Sequence, residues 1–216
     1  MGDLLPIFPL QYVLLPGVPL PLHIFEPRYQ QLIADVTADG SECFGIVTLR
    51  RGMETDTDVL IATVGTVADI IEREPYPDDR IDLLTVGTRR FRIASVDTDA
   101  TYLRAEVEWL EEDFGKIDAS LLGDVRRNCR SYLTRLAGLG LRAEDDLSHD
   151  PLKLSYQVAA HLQLPLEERL RLLDQPTVAA RLAAERELLR REIALLSATR
   201  AIPVPPRVIG SVFGAG

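Results

Sequence analysis

An α+β fold is predicted, with a β-rich lobe whose sheet bends into a barrel and a helical bundle after it. Three observations predict it. Between Cys43 and Glu111 the chain is a series of runs rich in Val, Ile, Thr and aromatic residues, broken by turn residues. From about Lys116 the apolar residues recur with a helical period instead. Two VGT triplets, Val64–Thr66 and Val86–Thr88, each set a glycine inside a strand. Such a glycine marks a bulge or a close backbone approach and suits a strongly bent sheet. At 216 residues the chain can hold two packed lobes, with boundaries expected at 1–113 and 114–200 and a terminal segment at 201–216.

Taken in order, Leu4–Leu10 and Leu20–Phe25 read as short extended segments, since each proline lacks a backbone donor and holds its predecessor extended. Both are therefore expected at sheet edges or strand ends. Pro27 opens a helix to about Thr37, with Tyr29, Leu32, Ile33 and Val36 on one face and Gly40 just beyond. Strands follow at 43–50, 61–74, 81–96 and 102–111. The run Pro75, Tyr76, Pro77, Asp78, Asp79 predicts a hairpin between the second and third of these.

In the helical part Leu121, Leu122, Val125, Cys129, Tyr132, Leu133 and Leu136 share a face that ends at Gly138 and Gly140. Pro151 opens a helix to about Gln163, and Pro165 a short one to Leu173. Pro176 opens the last, with Val178, Leu182, Leu189, Ile193 and Leu196 on one side. Glu167 with Arg171, and Glu187 with Arg191, have i,i+4 spacing suited to ion pairs on the opposite faces. Ile202–Gly216, interrupted by Pro203, Pro205 and Pro206, cannot continue a helix; it frays or docks onto the barrel.

The formal net charge is -9, from 24 basic and 33 acidic residues. That balance removes the attraction on which binding to nucleic acid or anionic membrane rests, so neither is an expected partner. Met1–Leu22 is apolar but broken by Pro6, Pro9, Pro16, Pro19 and Pro21, and it has no basic leader. A signal peptide or membrane helix is therefore not expected there, and the expected location is the cytoplasm. Cys43 and Cys129 read as reduced, buried thiols. Asp56, Asp58, Asp78 and Asp79 lack the ligand order of a calcium loop, and His149 and His161 lack a zinc pattern. His149, beside Asp150 and Pro151, reads as part of a helix cap. No metal and no cofactor is expected.

The first run LPIFPL at Leu5–Leu10, LLPG at Leu14–Gly17 and PLHIFEPRY at Pro21–Tyr29 together resemble the opening signature of Lon protease N-terminal domains. FGIV at Phe44–Val47, VGTVADI at Val64–Ile70, PDDR at Pro77–Arg80, GTRRFRI at Gly87–Ile93 and YLRAEVEWLEE at Tyr102–Glu112 follow in the family's order. QVAAHLQLPLEERLRLL at Gln157–Leu173 carries the likeness into the helical half. The resemblance spans nearly everything except the terminal segment, and it implies a PUA-like barrel followed by a helical bundle.

It also implies a function, the capture of unfolded or degradation-targeted polypeptide, here in a stand-alone form. Lon's ATPase needs a phosphate loop, but Leu110 stands where its first glycine belongs and Ile117 where Ser or Thr must be. Lon's peptidase uses a serine activated by lysine, and neither Lys116 nor Lys153 lies in such a setting. No enzyme activity is expected. Two other classes stay open: an adaptor or scaffold for one folded partner, Lon itself included, and an RNA-binding PUA-like protein, which the acidic balance disfavours. The oligomeric state stays open too.

Substrate-contact candidates are Phe25, Arg28, Tyr29 and Gln31 near the first helix, and Tyr76 at the hairpin tip. The motif HIFEPRY holds an acid, a base and a hydroxyl, but its spacing defines no reaction. Its structural reading is that Glu26 and Arg28 fix the start of the helix while Tyr29 packs in the barrel. Thr88, Arg90 and Arg92 share one strand face, read as solvated arginines paired with acids.

Overall fold

The computed structural model describes residues 4–51, 60–138 and 146–199. The terminal segment 201–216, like Asp56, Asp58 and Gly140, lies outside the described residues. In chain order the elements are β1 (Leu5–Leu10), β2 (Pro19–Ile24), α1 (Pro27–Ala38), β3 (Cys43–Arg51), β4 (Leu60–Pro75), β5 (Ile81–Asp97), β6 (Arg104–Trp109), α2 (Ala119–Ala137), α3 (Pro151–His161), α4 (Leu166–Leu173) and α5 (Val178–Thr199). The chain divides into two compact units, one running through Glu111 and including Leu164–Asp174, the other comprising Glu112–Gln163 and the chain from Gln175 onward.

The first unit is built on a mixed sheet ordered β2-β5-β4-β3-β1-β6, in which β6 also pairs with β5. The hydrogen-bonded circuit through β1, β3, β4, β5 and β6 thus returns to its start, and β2 extends outward from β5. Only the β1–β3 pairing is parallel among the described strands. Ile7, Val47, Val67, Phe91 and Ala105 form a core cluster. Both VGT glycines are sites of close approach: a Cβ on Gly65 would stand 2.5 Å from the Phe91 ring, and one on Gly87 2.3 Å from the Leu15 carbonyl oxygen.

The prolines of β1 do not confine it to an edge, because β1 lies between β3 and β6. Pro6 pairs only toward β6, opposite Arg104, and Pro9 only toward β3, opposite Val47. Each proline therefore stands where one side of the strand is already unpaired. Along the proline-rich stretch that follows, buried threonine hydroxyls supplement the backbone pairing. Thr48, Thr66 and Thr85 donate their hydroxyls to the carbonyls of Tyr12, Leu14 and Leu20 at 2.9, 2.7 and 2.9 Å.

Helix α4, expected in the helical lobe, belongs to the first unit. Arg90, expected on a solvated face, is buried and donates to the Leu173 carbonyl at 2.7 Å, where a cation satisfies the last turn of α4. Arg92 pairs with Asp174, and Glu167 pairs with Arg50 rather than reserving itself for Arg171.

In the second unit Asp118 caps α2 through Ser120 N, and Asp150, the neighbour of His149, caps α3 through Lys153 N. The α2 face is buried at Leu121, Val125, Cys129, Tyr132, Leu133 and Leu136, as its period predicts. On α5 Val178, Leu182 and Leu189 are buried, but so are Arg181 and Glu185 between them. Arg181 donates to Ser155 Oγ at 3.0 Å and stands 4.1 Å from the centre of the Tyr156 ring, while Glu112 takes Arg181 at 3.5 Å and the Tyr156 hydroxyl. Glu185, one turn along, has both carboxyl oxygens buried without a hydrogen-bond partner. Burial pushes its carboxyl well above the usual carboxylate range, against a smaller opposing pull from Arg181. Glu187 pairs with Arg186 and Arg190 rather than Arg191. Among the described residues no helix is long and apolar enough to cross a membrane.

Candidate polypeptide-binding surface

Three segments of the first unit meet where β2 passes into α1. The alternation PLPLHI buries Leu20, Leu22 and Ile24 and turns Pro19, Pro21 and His23 to the other face. The chain then leaves the sheet at Phe25, which is 44% exposed, and Glu26 and Pro27 start the helix. Across the sheet the β4–β5 hairpin is closed by Tyr76 N to Arg80 O at 2.8 Å, with Asp79 at a positive φ of 64°. Gln30 of α1 donates its amide to the Asp79 carbonyl at 2.7 Å and so fixes the hairpin tip to the helix.

Asp82 organises what lies between. It accepts from His23 Nδ1 at 2.5 Å and from the Tyr76 hydroxyl at 2.7 Å. Since an ionised carboxylate only accepts, Nδ1 carries the proton. These bonds, His23's first and Tyr76's second, hold the Asp82 carboxyl below its ordinary value, and the same bond raises the Tyr76 hydroxyl above its own. The His23 ring lies 6.1 Å from Phe25 and 6.4 Å from Tyr76, and the Arg80 guanidinium 5.7 Å from the Tyr76 ring. The product is an aromatic cluster of Phe25, His23 and Tyr76 in which the Asp82 carboxylate ties His23 to Tyr76.

Of the residues expected at a contact surface, Phe25 and Tyr76 are brought together here through His23. Tyr29 leaves the surface: it is buried and stacked on Phe8 at 3.9 Å, because it shares the inward face of α1 with Leu32, Ile33 and Val36. Arg28 covers the Tyr29 ring at 4.7 Å and forks onto Glu26 Oε2 at 2.9 and 2.7 Å, so this pair serves the helix start. Gln31 is exposed and bonded along the helix to Asp35. Among the described residues no group of three or more His, Cys, Asp or Glu side chains is placed to hold a metal ion.

Comparison with known proteins decides the family. The family model of the ATP-dependent protease La (LON) substrate-binding domain matches residues 4–191. The chain belongs to the Lon substrate-binding domain family. Its relatives include Lon protease 2 of Myxococcus xanthus, 30% identical over 93% of this chain, and Lon protease of Anaeromyxobacter dehalogenans, 29% identical over 92%. This Lon domain spans about a quarter of the length of those relatives, 25% and 24%. Among solved structures it is similar to a Lon N-terminal domain protein from Xanthomonas campestris, with a TM-score of 0.66 and 29% identity over 84% of this chain and 95% of that one. The N-terminal domain of a Mycobacterium avium complex Lon protease, 16% identical with a TM-score of 0.63 over 87% of this chain and 98% of that one, shares the fold.

In this Lon domain the outward side of the β2–β5–β4 sheet continues the aromatic cluster. Directly opposed residues of antiparallel strands share a face, and the register gives three outward rows: Pro19, Val86 and Asp69; Pro21, Leu84 and Glu72; His23, Asp82 and Glu74. Sequence reasoning weighed His23 only within the HIFEPRY motif and missed Asp82 and the aliphatic pair Leu84 and Val86. The alternation of β2 could have revealed His23, whereas the others needed the register of β5.

Proposed function

We propose that this chain is a non-catalytic polypeptide-binding module that captures unfolded or degradation-targeted protein segments on the outward β2–β5–β4 face. The observation that carries this reading is the exposed Phe25 held beside Tyr76 and His23, next to the half-buried Leu84 and Val86, in a chain of the Lon substrate-binding family. An aromatic anchor set in a polar frame is the usual anatomy of a binding hot spot. The closed strand circuit is read as a PUA-like barrel that keeps this face rigid, and the site of action as the cytoplasm. An extended client loses conformational entropy on docking, so affinity is expected at about the micromolar level.

The test is anisotropy of a labelled, permanently unfolded polypeptide against its native-folded counterpart. The unfolded form alone should bind, and Phe25→Ala with Tyr76→Ala should weaken it by about tenfold or more, with an unchanged melting profile. Equal binding by the double variant would remove this face from the account. Failure to bind either form would end the capture reading.

A further inference from the structure

The outward face is asymmetric in charge, and its geometry selects among clients. Its β4 margin carries Asp69, Glu72 and Glu74, which strict alternation would not put on one side. The register slip between Ile70 and Glu72 leaves Ile71 as the extra residue and restores the phase, so all three acids stand in the outward rows. Ile71 itself is 56% exposed. None of the three acids is in an ion pair among the described residues; Asp69 accepts only a Thr88 hydroxyl, at 3.2 Å. The neighbouring cations are engaged elsewhere, Arg73 with Thr37 and Arg80 with Asp78. Beside this margin run Leu84 and Val86, then Pro21 and Pro19, with the aromatic cluster at one end.

We infer that this face binds extended segments in which Lys or Arg alternates with aliphatic or aromatic residues, the cations lying along Asp69, Glu72 and Glu74 and the apolar side chains over Leu84, Val86 and Phe25. This rests on the polypeptide-capture reading and adds the chemistry of the client. Two physical matches support it. Adjacent strands lie about 4.8 Å apart, so the acid line and the apolar line are within reach of neighbouring side chains of one segment. Lying edge-on over the face, an extended segment sends alternate residues to its two sides, cations toward the β4 acids and apolar residues toward β5 and β2, at the same two-residue repeat as the strands beneath it. The face cannot extend far by adding a strand at β2, because Pro19 and Pro21 remove donors from that edge. Side-chain complementarity therefore carries the selection.

The experiment uses three unfolded polypeptides of equal length and apolar content whose spacer residues are Lys, Gln or Glu, titrated against the whole chain. The Lys form should bind about tenfold more tightly than the Gln form, and the Glu form most weakly, with the spread shrinking as salt rises. Glu72→Lys with Glu74→Lys should reverse the order. Glu106→Lys with Glu108→Lys on β6 makes the same change in net charge elsewhere and should leave the order as it was. Equal binding of all three forms would overturn the inference and leave capture standing; no binding of any form would remove both. A reversal produced equally by the β6 pair would overturn it too, since overall charge would then account for the preference.

Discussion

Residue by residue, the least sequence-like feature is Glu185. The helical period of α5 places it on the same face as Val178, Leu182 and Leu189, and the structure keeps it there, buried and unpartnered. A buried carboxyl of this kind stays protonated, because removing the ion from water costs more than the neighbouring Arg181 returns. Its folded-state pKa is therefore raised above the ordinary 4.5. A raised acid binds more protons folded than unfolded, so its contribution is fully present below the unfolded value and is lost as pH rises through the folded one. The melting temperature of the wild type should accordingly fall, relative to Glu185→Gln, as pH rises above the ordinary value of 4.5. Parallel curves for the two proteins would show that Glu185 ionises in contact with water. Tyr29 gives the opposite lesson. Its spacing with Leu32, Ile33 and Val36 already made its burial legible, whereas Phe25, just outside the helix, had no periodicity to place it.

At the scale of elements, periodicity located the strands and helices to within a few residues, because each carries its own pattern and its own stop signals. What it could not supply was which element packs on which. The period of α4 does not differ in kind from that of α3 and α5, and the long-range bonds from Arg90 to Leu173 and from Arg50 to Glu167 show that it is held in the first unit. The same limit hid the acid margin of the candidate site, since the slip that re-phases β4 is a property of its pairing with β5. Arg90→Met leaves the Leu173 carbonyl without this donor in a buried place, and should cost about 1–3 kcal/mol with faster amide exchange in α4 than in β3. Arg92→Ala, at the half-exposed pair with Asp174, should cost no more than about 1 kcal/mol. Unchanged exchange in α4 on losing Arg90 would mean that its other contacts hold the helix without this bond.

For the molecule as a whole, the charge of -9 and the ordered Lon-like motifs were legible from the sequence and excluded more than they specified. Family membership rests on a match over residues 4–191, and the proposed binding surface rests on neighbours brought together from β2, α1 and the β4–β5 hairpin. The measurement that tests the central claim most directly is a hydrogen-exchange footprint of the whole chain with and without a saturating unfolded polypeptide. Slowed exchange should concentrate at Leu22–Phe25 and across 69–86, with α2 and α3 unchanged. Protection centred on the helical unit, or none on β2 and the hairpin despite saturation, would contradict the account.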